Sequence, residues 1–149
     1  MVRPIMRESK GFSLIELLVA VSIVGVLASF SLSLFKNFLK KAKTVESQVA
    51  LSEIKSLEDQ YYFANLLYCD DLGLLGWKPD APLKYYSITI QMNGAGQPPF
   101  FYQAIATANL DTDPDLDAWV LTQYTDGSFD LKHGCIPGGV GAIQFGCTD

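Results

Sequence analysis

From Phe12 to Phe35 every residue is apolar or small, with one exception, Glu16. A run of about 20 such residues is long enough to cross a bilayer as a helix. A helix is also the only conformation in which one lone segment meets all its backbone hydrogen bonds in lipid. No proline falls between Pro4 and Pro79, and Gly25 is the one glycine between Gly11 and Gly73. The stretch therefore reads as a membrane helix. Glu16 is the anomaly in it, because a carboxylate at the centre of a membrane helix costs roughly 2.5–3.5 kcal/mol on insertion scales. A local role is also open to it. Ser13-Leu14-Ile15-Glu16 fits a capping box, in which the carboxylate meets orphan N–H groups at the positive end of the helix dipole. A secretory signal cut after Val26-Leu27-Ala28 is a further reading. Glu16 and the apolar run on to Phe35 both argue against it.

The junction just upstream adds a resemblance. After a short basic leader, Gly11-Phe12-Ser13-Leu14-Ile15-Glu16-Leu17-Leu18-Val19 resembles the class III signal sequence of type IV pilins and type II secretion pseudopilins. The resemblance implies removal of residues 1–11 by a prepilin peptidase cutting between Gly11 and Phe12, then N-methylation of Phe12. It implies that Glu16 pairs with the free amine of a neighbouring subunit in a filament. It also implies a single-pass precursor in the inner membrane with its leader in the cytoplasm, handled by the pilus assembly machinery. The destination would be an extracellular pilus or a periplasmic pseudopilus. The physics agrees with such a role: a carboxylate facing an ammonium in a low-dielectric bundle is favoured, whereas either left alone is penalised. The pair would set register, as a buried polar residue does in a coiled coil. The chain departs from a common family pattern at Ser33, where many members carry a helix-kinking proline. Local melting of the helix, and a major-subunit role, are correspondingly less expected.

Periodicity continues beyond the membrane. Phe35, Phe38, Ala42, Val45 and Val49, then Ala50, Ile54, Leu57, Tyr61, Ala64 and Tyr68 recur at helical spacing. Glu46, Glu53, Lys55, Glu58 and Asp59 fall on the other faces and read as solvated. One helix from about Phe12 to about Tyr68 would be roughly 85 Å long, more than a bilayer needs, so its second half should be the spine of an outer domain. Gly73, Gly76, Pro79 and Pro82 end the helical pattern. Period-two stretches follow at 86–92, 100–108 and 119–124. Asp126-Gly127 signals a hairpin into a short last strand, 129–132. The fold class is α+β: a long helix packed on a small antiparallel sheet, the pilin fold. The organisation expected is leader 1–11, membrane helix 12–35, amphipathic continuation 36–69 and sheet region 70–149.

Charge narrows the partners. Removing residues 1–11 takes away Arg3, Arg7, Lys10 and Glu8, so the net charge of −5 becomes −7. An acidic chain argues against nucleic-acid binding by bulk electrostatics. The basic cluster Lys36, Lys40, Lys41 and Lys43 reads as a solvated or headgroup-contacting flank.

Three cysteines cannot all pair with each other. A Cys135–Cys147 bond would close a glycine-rich loop, contributing roughly 3 kcal/mol by chain entropy, and it resembles the C-terminal disulfide loop of many type IV pilins. Cys69 then reads as a buried thiol, with its pairing to Cys135 or Cys147 left open. Asp111, Asp113, Asp115 and Asp117 begin like a calcium loop, but Leu116 and Thr122 stand where its glycine and glutamate belong. The other reading of these residues is a turn around Asp113-Pro114. His133 is the only histidine, no G-x-S-x-G elbow exists, and Gly138-Gly139-Val140-Gly141 lacks a phosphate-loop lysine. Tyr61, Tyr62 and Phe63 read as core beneath the sheet. Nothing points to catalysis or to a cofactor other than that calcium candidate. The expected function is a filament subunit. The alternatives are a type II secretion pseudopilin or a signal-anchored periplasmic binding domain.

Overall fold

A computed structural model describes residues 11–93, 100–111 and 113–147. The leader at 1–10 and most of the loop expected at 93–99 lie outside the described residues. Among the described residues one α-helix, α1 (Leu14–Asn65), precedes five strands: β1 (Ser87–Met92), β2 (Phe100–Ala108), β3 (Leu116–Tyr124), β4 (Phe129–Ile136) and β5 (Gln144–Phe145). The chain divides between Leu39 and Lys40 into two compact units.

In the first unit the helix is apolar on every side and exposed on every side. It is long and apolar enough to cross a membrane, and none of that window is buried. The hydroxyls of Ser22, Ser29 and Ser31 need no outside partner, because they donate back to the carbonyls of Leu18, Gly25 and Leu27 at 2.7–3.0 Å. That satisfaction within the helix suits a segment surrounded by lipid or by other helices.

In the second unit the sheet is antiparallel throughout, in the order β1-β2-β3-β4-β5. β2 and β3 carry most of the core, with Tyr102, Ala104, Ala106 and Leu121 buried together with Leu51 and Ile54 of α1. The Asp126-Gly127 hairpin forms as its residues demand, with Gly127 at φ +86° and Asp126 Oδ1 accepting the Ser128 N–H at 2.8 Å. β3 starts at Leu116 and β4 runs to Ile136, both longer than their residue patterns alone predict. Pairing explains the extension: Asp117 opposes Cys135 and Ala118 opposes Gly134 in the ladder. Gly134 is required there, since a Cβ would come within 2.7 Å of the Gln144 carbonyl on β5.

Several expectations about α1 are corrected. The helix ends at Asn65, short of Tyr68, where Leu66 takes a left-handed φ of 61° and donates its N–H to Tyr62. The buried face is Ser47, Ala50, Leu51, Ile54 and Glu58, whereas Val45 and Val49 are about half exposed, and Phe35 and Phe38 more so. Glu58 is thus in the core and not solvated. Phe63 is 90% exposed, and Tyr62 stacks on Tyr68 near the surface with ring centres 4.6 Å apart.

Glu46 is no free surface acid either. Its carboxylate accepts the backbone N–H groups of Lys84, Tyr85 and Tyr86 at 2.7, 2.9 and 3.1 Å. This pins the long connector to the helix just before β1. Partial burial pushes its pKa up, but the three N–H donors outweigh burial and hold it below the ordinary value. Glu46→Ala is expected to destabilise the chain by about 2 kcal/mol, the scale of charge-assisted hydrogen bonds, as read from thermal melting. Because the folded-state pKa is lowered, that contribution is present above the unfolded carboxylate pKa and lost as pH falls through the folded one. The penalty of the substitution should therefore shrink in acid.

Candidate functional site

The N-terminus of α1 carries the predicted assembly residues. Gly11 and Phe12 precede the helix, and Phe12 is 92% exposed. Ser13 is the N-cap. Its Oγ accepts the Glu16 N–H at 3.3 Å, and Glu16 Oε2 accepts the Ser13 N–H at 2.8 Å. The Ser13 hydroxyl also donates to Oε2, at 3.1 Å. The capping box is therefore formed, and it is formed within one turn of Phe12. Among the described residues the side-chain bonds of Glu16 all fall on Oε2.

Around that carboxylate the helix surface is apolar. Ile15, Val19, Ala20 and Ile23 line a shallow groove with Glu16 as its one charged member. Ile15, Val19 and Ile23, and Glu16, Ala20 and Ile23, recur at three or four residues and so share one face, the geometry that accepts a ridge of a neighbouring helix. Chemically, such a face presents one anionic acceptor in a hydrocarbon wall. A cation brought to it by another helix would be bound in low dielectric, where its absence is expensive.

The other sequence candidates separate. Cys135 and Cys147 are joined in a disulfide, Cα atoms 6.1 Å apart, and Cys69 is a free buried thiol. The four alternate aspartates do not converge. Asp111 pairs with Lys40 at 3.1 Å, Asp113 Oδ1 accepts the Asp115 N–H, and Asp115 Oδ1 accepts the Gly138 N–H. Asp117 is buried in β3, where it takes the Tyr86 hydroxyl and, at 2.6 Å, His133 Nε2. Among the described residues no group of three or more acidic, histidine or cysteine side chains could hold a metal ion. The donor set does not fit calcium, and Asp113-Pro114 sits in an Asx-type turn. The Asp117–His133–Tyr86 cluster was not foreseen, because its members lie far apart in sequence and no local spacing announces them.

Residues 6–32 match the prokaryotic N-terminal methylation motif. The chain is 39% identical over 83 residues to the type II secretion system core protein G of Vibrio cholerae, covering 52% of this chain and 55% of that protein. It is 27% identical over 78 residues to the type IV major pilin protein PilA of Myxococcus xanthus, covering 52% of this chain and 36% of the relative. It is 33% identical over 58 residues to the type IV major alpha-pilin of Moraxella bovis, covering 39% and 36%. The chain thus spans between about a third and about half of the length of these relatives. No solved structure gives a significant match. By its methylation motif and these relatives, the chain is similar to type IV pilins and type II secretion pseudopilins.

Proposed function

We propose that this chain is a structural subunit of a type IV pilus-like filament. It is inserted as an inner-membrane precursor, cut by prepilin peptidase between Gly11 and Phe12, methylated on Phe12, and polymerised through α1 by the inner-membrane assembly machinery. The observation that carries this reading is the first half of α1. From Leu14 to Phe35 it is apolar and largely exposed, and its one acidic group there, Glu16, sits a single turn from the amine that the cut would free. Such a helix has two stable surroundings, lipid or like helices. Moving from the first to the second gains packing and a partner for the carboxylate. No catalytic step and no bound metal enter this account.

A pseudopilin of a type II secretion system is the second reading. It is favoured by the higher identity and coverage of the Vibrio cholerae protein. Deleting the gene separates the two. Loss of surface filaments with protein export intact supports the pilus. Loss of export with filaments intact supports the pseudopilus. A deletion that leaves both unchanged contradicts a filament role of either kind.

A further inference from the structure

Glu58 lies on the α1 face turned to the sheet and is fully buried. Its Oε2 accepts one hydrogen bond, from the N–H of Cys69 at 3.0 Å, where the chain has turned back after the helix. Among the described residues its Oε1 has no partner, and neither has the buried hydroxyl of Tyr102 on β2. The charged groups acting on Glu58 are both negative: Asp59, the next residue on α1, and Asp70 in the connector. Asp59 is itself tied to Lys55 at 2.7 Å. The titratable neighbours from the other elements are the Cys69 thiol and Tyr68 in the connector and Tyr102 on β2. The rings of Tyr68 and Tyr102 lie 5.0 Å apart. Both phenols are pushed up, by burial first and in part by the Glu58 charge, so they titrate far above neutrality.

A buried carboxylate with one donor and two negative neighbours is far better off as the neutral acid. The acid form also removes the charge from a carboxyl whose Oε1 has no partner among the described residues. We propose that Glu58 is a proton-operated latch between α1 and the connector. Protonated, it holds the Cys69 backbone against the helix; ionised, it loosens the connector and destabilises the globular unit. Subunit stability then follows the pH of the compartment that the globular unit faces. Burial, with smaller contributions from Asp59 and Asp70, outweighs the Cys69 N–H and raises the Glu58 pKa to about 7. The folded value lies above the unfolded one, so the folded chain keeps a proton that the unfolded chain releases. Stability is therefore fully present in acid below the unfolded value and lost as pH rises through about 7.

The test is thermal melting of the full-length protein in detergent micelles between about pH 5.5 and pH 8.5, beside Glu58→Gln. Glutamine keeps an acceptor for the Cys69 N–H and cannot release a proton. The wild-type Tm is expected to fall by roughly 5–10 °C across the window, and that fall should be absent in the variant. An equal slope in both proteins, or none in the wild type, overturns the latch. Should the variant not fold, infrared spectroscopy of the wild type replaces the comparison. A protonated-carboxyl carbonyl band at about pH 6 that vanishes by about pH 9 supports the proposal. Absence of the band at both pH values overturns it.

Discussion

Cells making only the Glu16→Ala chain are expected to process it, insert it and build few or no filaments from it. Insertion should not suffer, since removing a carboxylate from an apolar helix lowers its insertion cost. Assembly should suffer, because each ammonium on Phe12 would enter the bundle with no anion to meet it. Breaking a buried pair from one side costs about 3–5 kcal/mol. At 1.4 kcal/mol per factor of ten, that is a loss of about a hundredfold to a few thousandfold in the affinity of each subunit for the filament. Glu16→Gln separates this from the local role. Glutamine can still close the capping box with Ser13, yet it carries no charge. Filament yield sheared from cells, against subunit in the membrane fraction, reads both variants. If glutamine restores normal filaments, Glu16 serves only its own helix. If alanine gives normal yield, neither role matters to assembly.

The largest stability effect is expected at Asp117. Its carboxylate is 2% exposed and accepts from two side chains on different elements, the Tyr86 hydroxyl at the end of the connector and His133 on β4. Burial first, then the bond and charge of Asp117, push the Tyr86 phenol well up, so it stays a donor throughout the working range. Asp117→Ala strips the acceptor from a buried hydroxyl and from the histidine at once, and opens space between them. The expected cost is about 3–5 kcal/mol, or a Tm lower by roughly 10 °C or more, measured on the full-length chain in detergent. Asp117→Asn should lose less, since the amide oxygen still accepts one of the two bonds. A shift within about 0.5 kcal/mol, the scale of an exposed substitution, would show that the cluster bears no weight.

Both residues show what could be read in the chain and what could not. Glu16 was legible because everything that defines its setting lies within a few residues of it: the junction, the cap and the apolar run. The strands were legible in place and in type, because alternation is local, but their ends were set by ladder partners. Asp117 continues a run of alternate aspartates and so reads as part of a loop. Its actual partners lie 31 and 16 residues away. Glu46 and Glu58 look solvated in the sequence for a related reason. The apolar residues of α1 allow more than one buried face, and the sheet selects the one holding Ser47 and Glu58 over the one holding Val45 and Val49. Backbone groups make that choice tolerable: Thr44 O for Ser47, the Cys69 N–H for Glu58 and three N–H groups of residues 84–86 for Glu46. Such donors and acceptors carry no signature in the identity of the residue that bears them.

Mass spectrometry of the intact protein isolated from cells tests the central claim most directly. A chain beginning at Phe12 with one methyl group on its amine supplies the cation that Glu16 is held to bind. A chain still beginning at Met1, or beginning beyond Ala28, supplies none, and assembly through that pair would be contradicted.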